Sequence, residues 1–131
     1  MAGEQYAEVL RKGFDAFSKG DMDTLRNEVF TEDTVWHVAG RSPIAGDYRG
    51  QEVFEWFGRL FQETGGTFRV ELHDVTTSDQ HAVAMTSASG ERQGKRLQDS
   101  KGTQVHHFEG GKISESWLTT QDPYQSDEFW S

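Results

Sequence analysis

At 131 residues, with a formal net charge of −9 and no cysteine, the chain has room for one domain whose core must hold by burial alone. The acidic balance, with Arg92, Lys95 and Arg96 merely scattered, argues against a phosphate backbone as partner, and the missing thiols rule out disulfides and thiolate metal sites. The N-terminus MAGEQYAEVLRKG carries acid from Glu4 onward and no unbroken apolar run, so the expectation is neither a signal peptide nor a membrane span. A single domain over residues 1–131, cytoplasmic and without a membrane partner, is the simplest reading.

Tyr6, Val9, Leu10, Gly13, Phe14 and Phe17 recur at three- and four-residue steps, which predicts a first amphipathic helix ended by Gly20. Asp21 can cap a second, shorter helix with Met22, Leu25 and Val29 on one face. A strand then runs from Thr34 to Val38, followed by GRSPIAGDYRG, whose glycines and Pro43 predict an irregular loop. A third helix from about Gln51 to Glu63 carries Val53, Phe54, Trp56, Phe57, Leu60 and Phe61, more aromatic surface than one stripe holds, and Gly65–Gly66 stops it.

From Thr67 the period becomes two, with Phe68, Val70 and Leu72 alternating against Arg69, Glu71 and His73. The phase slips near Asp74–Val75, which predicts a bulge that bends the strand. Turns at Ser78–Gln80 and Gln93–Lys95 separate further strands over His81–Gly90, Leu97–Glu109 and Lys112–Thr120, the last two joined by the Glu109-Gly110-Gly111-Lys112 hairpin. Helices, a strand, a helix and a four-strand meander imply an α+β fold with a curved sheet wrapped on helices. The tail QDPYQSDEFWS ends in Phe129 and Trp130, so it is expected to fold back over the sheet, a pocket mouth or a partner subunit.

Alternation on the first strand points either Trp36 and Val38 or Val35 and His37 inward, and the pattern leaves both open. An inward His37 would serve as a general base, its ordinary pKa lying near neutrality; otherwise it is a strand-end histidine tied to the following loop. Gln104, His106 and Phe108 share one face of their strand, and Val105 and His107 the other, so His106 and His107 cannot readily chelate one ion and no metal site is expected. Trp36, Tyr48, Trp56, Phe57, Phe61 and Trp117 could line a pocket for a planar apolar ligand, or simply fill the core.

The helix–SKGD–helix start, FTEDTVWHVAGRSPIAGDYRG, the FEWFGRLFQETGG helix and the closing HHFEGGKISESW together resemble the nuclear transport factor 2 superfamily, in its SnoaL-like and ketosteroid-isomerase-related branch. The resemblance spans nearly the whole chain. It implies a cone-shaped, curved, mixed or antiparallel sheet wrapped on three N-terminal helices, the cystatin-like or nuclear transport factor 2-like α+β barrel, often in homodimers that pair through the sheet.

Steroid isomerisation uses a carboxylate base, a tyrosine and a protonated aspartic acid. Here the resemblance puts Gly13, Val38 and Gln104 at those positions, so the required groups are absent; a register shift of one would put His37 at the base. It also turns Gln104 and His106 toward the cavity, where an amide and an imidazole can bind or polarise a carbonyl. Asp122 stands near the aspartate that serves SnoaL-like cyclases as acid/base, although Asp before Pro123 is also an ordinary turn residue.

Two functions follow. One is a cofactor-independent isomerase or cyclase for a polyketide- or steroid-like carbonyl compound, with His37, His106 and Asp122 as catalytic candidates. In it, Trp36, Tyr48, Trp56, Phe57, Phe61, Gln104 and Trp117 are the binding candidates. The other is a non-catalytic module holding a small apolar or aromatic carbonyl ligand in the same cone.

Overall fold

The computed structural model describes residues 2–131. Helix α1 (Ala2–Ser18) buries Leu10, Ala16 and Phe17 along the stripe that the spacing defines. Asp21 then caps α2 (Met22–Thr24), its carboxylate accepting from the Thr24 backbone N–H and hydroxyl at 3.1 and 2.7 Å. The chain continues into a widened π-helical turn, Leu25–Val29, which buries Leu25 and Val29 under α1. Gly13 permits that approach: a Cβ there would lie 3.1 Å from Val29 Cγ1.

Strand β1 (Phe30–Val38) runs straight on from the turn. Where an irregular loop was expected, the chain forms a short strand β2 (Gly46–Arg49), paired antiparallel with β1 from Val35↔Arg49 to Val38↔Gly46. Pro43 and the left-handed Gly46 and Gly50 lie in the turn or at the strand's limits, not in its paired middle. Helix α3 (Gln51–Glu63) packs Val53, Phe54, Trp56, Phe57 and Leu60 inward.

The meander follows as β3 (Arg69–Thr77), β4 (His81–Arg92), β5 (Lys95–Glu109) and β6 (Lys112–Thr120). Among the described residues these six strands make one curved, unclosed sheet of order β2-β1-β6-β5-β4-β3. All neighbours are antiparallel except β1 and β6, which run parallel. The expected bulge falls between Leu72 and Asp74, and further irregularities lie at Ala88/Gly90 and His107/Phe108. Such kinks let a sheet bend around α1 and α3 instead of lying flat.

The tail adds a fourth helix to the three expected, α4 (Pro123–Trp130). It folds back on β5 and β6 and buries Phe129 and Trp130, the latter against Phe68 with ring centroids 5.6 Å apart. Asp127 Oδ1 accepts from the backbone N–H groups of Arg41 and Ser42 at 3.0 and 3.2 Å. Arg92 and Lys95 donate to the Ser131 and Glu128 carbonyls. No helix is long and apolar enough to cross a membrane among the described residues.

Candidate functional site

The concave side of the sheet and the helices it wraps enclose a cavity of about 170 Å³. A void of about 150 Å³ suffices for benzene, so this one has the size for a substituted single ring. Its apolar wall comes from α1 (Leu10, Phe14, Phe17), α3 (Trp56, Phe57, Leu60) and the strands. Trp36 crosses Phe57 at 5.3 Å and 88°, an edge-to-face contact that fixes both rings at the wall. The strand-parity question is thereby settled: Trp36 and Val38 border the cavity, and Trp36 is 4% exposed.

Polar groups on this wall come mainly from β5 and its neighbours. His106 is fully buried between two partners, Ser116 Oγ at 2.6 Å from Nδ1 and Gln104 Oε1 at 3.0 Å from Nε2. A carboxamide oxygen only accepts, so the His106 proton sits on Nε2 and is donated to Gln104, while Nδ1 accepts from the Ser116 hydroxyl. Burial pushes the His106 pKa down to about 3, which keeps the ring neutral at physiological pH. With its oxygen engaged, Gln104 is left with amide N–H groups that find no partner among the described residues. The Trp36 indole Nε1–H is likewise buried without an acceptor. Among the described residues no Asp or Glu lines the cavity.

The other candidates separate into three groups. Trp56 and Phe57 lie on the wall with Trp36, Gln104 and His106. Tyr48 and Phe61 stand behind it. The Tyr48 hydroxyl and the Trp56 indole both donate to the Ile44 carbonyl, at 2.7 and 2.9 Å, and Phe61 packs on Phe17. His37, Trp117 and Asp122 are off the cavity, which corrects the expectation of pocket roles for them.

His37 alternates with Trp36 and so lies on the outer face. Its Nδ1 and Nε2 each sit 2.7 Å from a carboxylate, Asp47 and Glu115, and its ring stacks on Trp117 at 5.2 Å. Hydrogen bonds to Glu115 first and Asp47 second raise its pKa, so it favours the imidazolium that can donate from both nitrogens. Trp117 also packs against His107 there. Asp122 caps α4, Oδ1 accepting from Gln125 N at 3.1 Å, so its carboxylate is spent on the helix end. No cluster of three or more His, Cys, Asp or Glu suited to a metal ion occurs among the described residues.

Sequence reasoning passed over Thr86, Ser100, Gly102, Ser116 and the tail residue Ser126, whereas Trp130, whose tail was expected over the sheet, a pocket mouth or a partner, also lines the cavity. The signal for Ser100 and Gly102 was present, since they share the parity of Gln104 and His106.

A family model for the SnoaL-like domain matches residues 10–116. The chain belongs to the SnoaL-like family. Among solved structures it is similar over its whole length to Bal32a from a soil-derived mobile gene cassette, at 42% identity, with all of both chains covered and a TM-score of 0.96. It is also similar to a Xanthomonas campestris protein of unknown function with a cystatin-like fold, at 27% identity, covering 96% of this chain and 98% of that one, TM-score 0.87. The SnoaL-like member shares its fold with a putative SnoaL-like polyketide cyclase from Jannaschia, at 17% identity, with 91% and 87% covered and a TM-score of 0.76. No curated protein matches it.

Proposed function

We propose that this SnoaL-like protein binds a small, uncharged, apolar or aromatic carbonyl compound within the cone. The observation that carries this is the polar wall around His106, on which no carboxylate stands and whose one charged lining residue, Lys101, is exposed to solvent. His106 is neutral and engaged at both nitrogens, so what the wall offers a ligand is the donor side of the Gln104 amide, beside the edge-to-face and tilted rings of Trp36, Trp56 and Phe57. Such a wall suits a hydrogen-bond acceptor on an apolar body and disfavours a charged one, whose desolvation the buried groups around His106 do not offset.

Acetophenone, a single ring with one carbonyl, is the test ligand. Added to ¹⁵N-labelled protein, it should move the Gln104 amide and Trp36 indole resonances and leave those of Trp117 in place. Shifts confined to the outer face, or none near saturation of the ligand, refute the proposal.

One observation favours a catalytic version. Of the three acid/base candidates, His106 alone stands at the cavity, and its link through Gln104 would let the amide polarise a carbonyl while the proton on the adjacent carbon passes to water. An isomerase or cyclase working this way would exchange the methyl protons of acetophenone with D₂O faster than buffer does. Pure binding gives no acceleration.

A further inference from the structure

Along the inner face from Gln104 stand two hydroxyls that the carbonyl site does not use, Thr86 opposite Gly102, two residues away, and Ser100, four residues away. Thr86 on β4 is 7% exposed and Ser100 on β5 is 9% exposed, and both line the cavity. Neither hydroxyl bonds to another described residue, yet neither oxygen is shut away like the unpaired Thr31 Oγ1 and Trp36 Nε1, so both are accessible to a molecule in the cavity. Thr34, Thr64 and Ser116, buried in the same domain, are instead already engaged, with Ile113 O, Leu60 O and His106 Nδ1.

Gly102 lies between them on the floor and faces Thr86 across the β4–β5 ladder. The position that a Cβ of residue 102 would take is 3.3 Å from Thr86 Oγ1 and only 2.8 Å from the Thr119 carbonyl. A side chain is thus excluded there, and the floor between the Gln104 amide and the Thr86 hydroxyl stays bare. Thr86 pairs with Gly102, which is two residues from Gln104, so the two polar points are separated by roughly 7 Å along the strand. The wall between them is aromatic and aliphatic.

We propose that Thr86 and Ser100 form a second polar subsite, and that the ligand class is a para-disubstituted aromatic ring. Its carbonyl meets the Gln104 end, and a hydroxyl or a second oxygen function meets the Thr86 and Ser100 hydroxyls. This deepens the binding proposal above and rests on it. Hydroxyl side chains both donate and accept, so the subsite takes a phenol, an alcohol or a second carbonyl without a charge change. A ligand ending in a methyl group there would offer neither hydroxyl a hydrogen bond.

The test compares 4-hydroxyacetophenone with 4-methylacetophenone, two probes of nearly equal size, by isothermal titration. The methyl compound is the more apolar and would bind better to a cavity without the subsite. The wild-type protein should instead favour the hydroxy compound by about fivefold, the worth of one neutral hydrogen bond. Thr86→Val with Ser100→Ala should abolish or reverse that preference and leave 4-methylacetophenone affinity within about twofold, which also shows that the variant is folded. Equal or methyl-favoured binding by the wild type, with 4-methylacetophenone bound, overturns the subsite alone. Failure of both probes to bind overturns the carbonyl site and the subsite together. If the double substitution destabilises the fold, Ser100→Ala alone provides the same comparison, and an unchanged hydroxy preference in it counts against Ser100.

Discussion

The two faces of one sheet treat histidine in opposite ways. On the inner face His106 is sealed among Ser116, Gln104 and Trp36, and burial lowers its pKa to about 3. On the outer face, His37 bridges Asp47 and Glu115 in partial contact with water, and its pKa is raised. Trp36 and His37 are consecutive, so a single residue of register decides which environment a side chain meets. The comparison teaches that a histidine near a cavity is not thereby a base. The ring best charged by its neighbours points away from the ligand space, and the ring facing that space is held neutral.

The largest effect should come from cutting the inner wall. Phe57→Ala removes a ring that packs on Trp36, Phe30 and Phe17, and should destabilise the protein by about 3–5 kcal/mol in urea unfolding. Trp117→Ala, on the outer face, should cost well under half of that; equal losses would erase the distinction between wall and exterior.

Next comes acid sensitivity. The unfolded chain takes up a proton on His106 near 6.5, the folded protein only near 3, so stability falls as pH drops through that window. At pH 5 the group's share of the loss is about 2 kcal/mol. His106→Leu should flatten the stability profile between those limits relative to the wild type, whatever its effect on stability at neutral pH. A parallel offset at every pH would contradict the assignment.

Smaller still is the cap. Asp122→Ala should lower stability by about 1 kcal/mol and leave acetophenone affinity unchanged, as expected of a carboxylate that serves α4. A large loss of ligand binding or turnover with intact folding would return Asp122 to the site. The smallest change should come from the outer face, where Glu115→Gln removes the first partner of His37. Because the folded pKa is raised, that interaction stabilises below the ordinary 6.5 and is lost as pH climbs through the raised value. The variant should therefore lose a little stability at pH 5.5 and none at pH 9, measured by thermal unfolding.

Much of the architecture was legible because strong periodicity marks it. The α1 and α3 stripes, the alternation of β3, the bulge after Leu72 and the Gly110–Gly111 turn all carry local signals. Strand β2 did not, for it is a four-residue edge strand with one half-buried side chain, Tyr48, and no alternation to read. The parallel pairing of β1 with β6 joins segments about eighty residues apart and has no local signature. Within the site, the inward turn of Trp36 was undecidable from β1, where both parities carry apolar and polar residues. Parity in β5 did place Gln104 and His106 together, and it would have placed Ser100 and Gly102 beside them. The partners of His37 could not be read, because Asp47 lies on the unrecognised strand and Glu115 on the parallel neighbour.

The contrast between the faces is tested most directly by following the five histidine imidazoles of the protein by NMR as pH is lowered. His37 should become protonated above 6.5, while His106 should keep its Nε2–H tautomer and stay neutral well below pH 5. A His106 ring that titrates near 6.5, like an imidazole in water, would contradict a sealed neutral wall and the ligand site built on it.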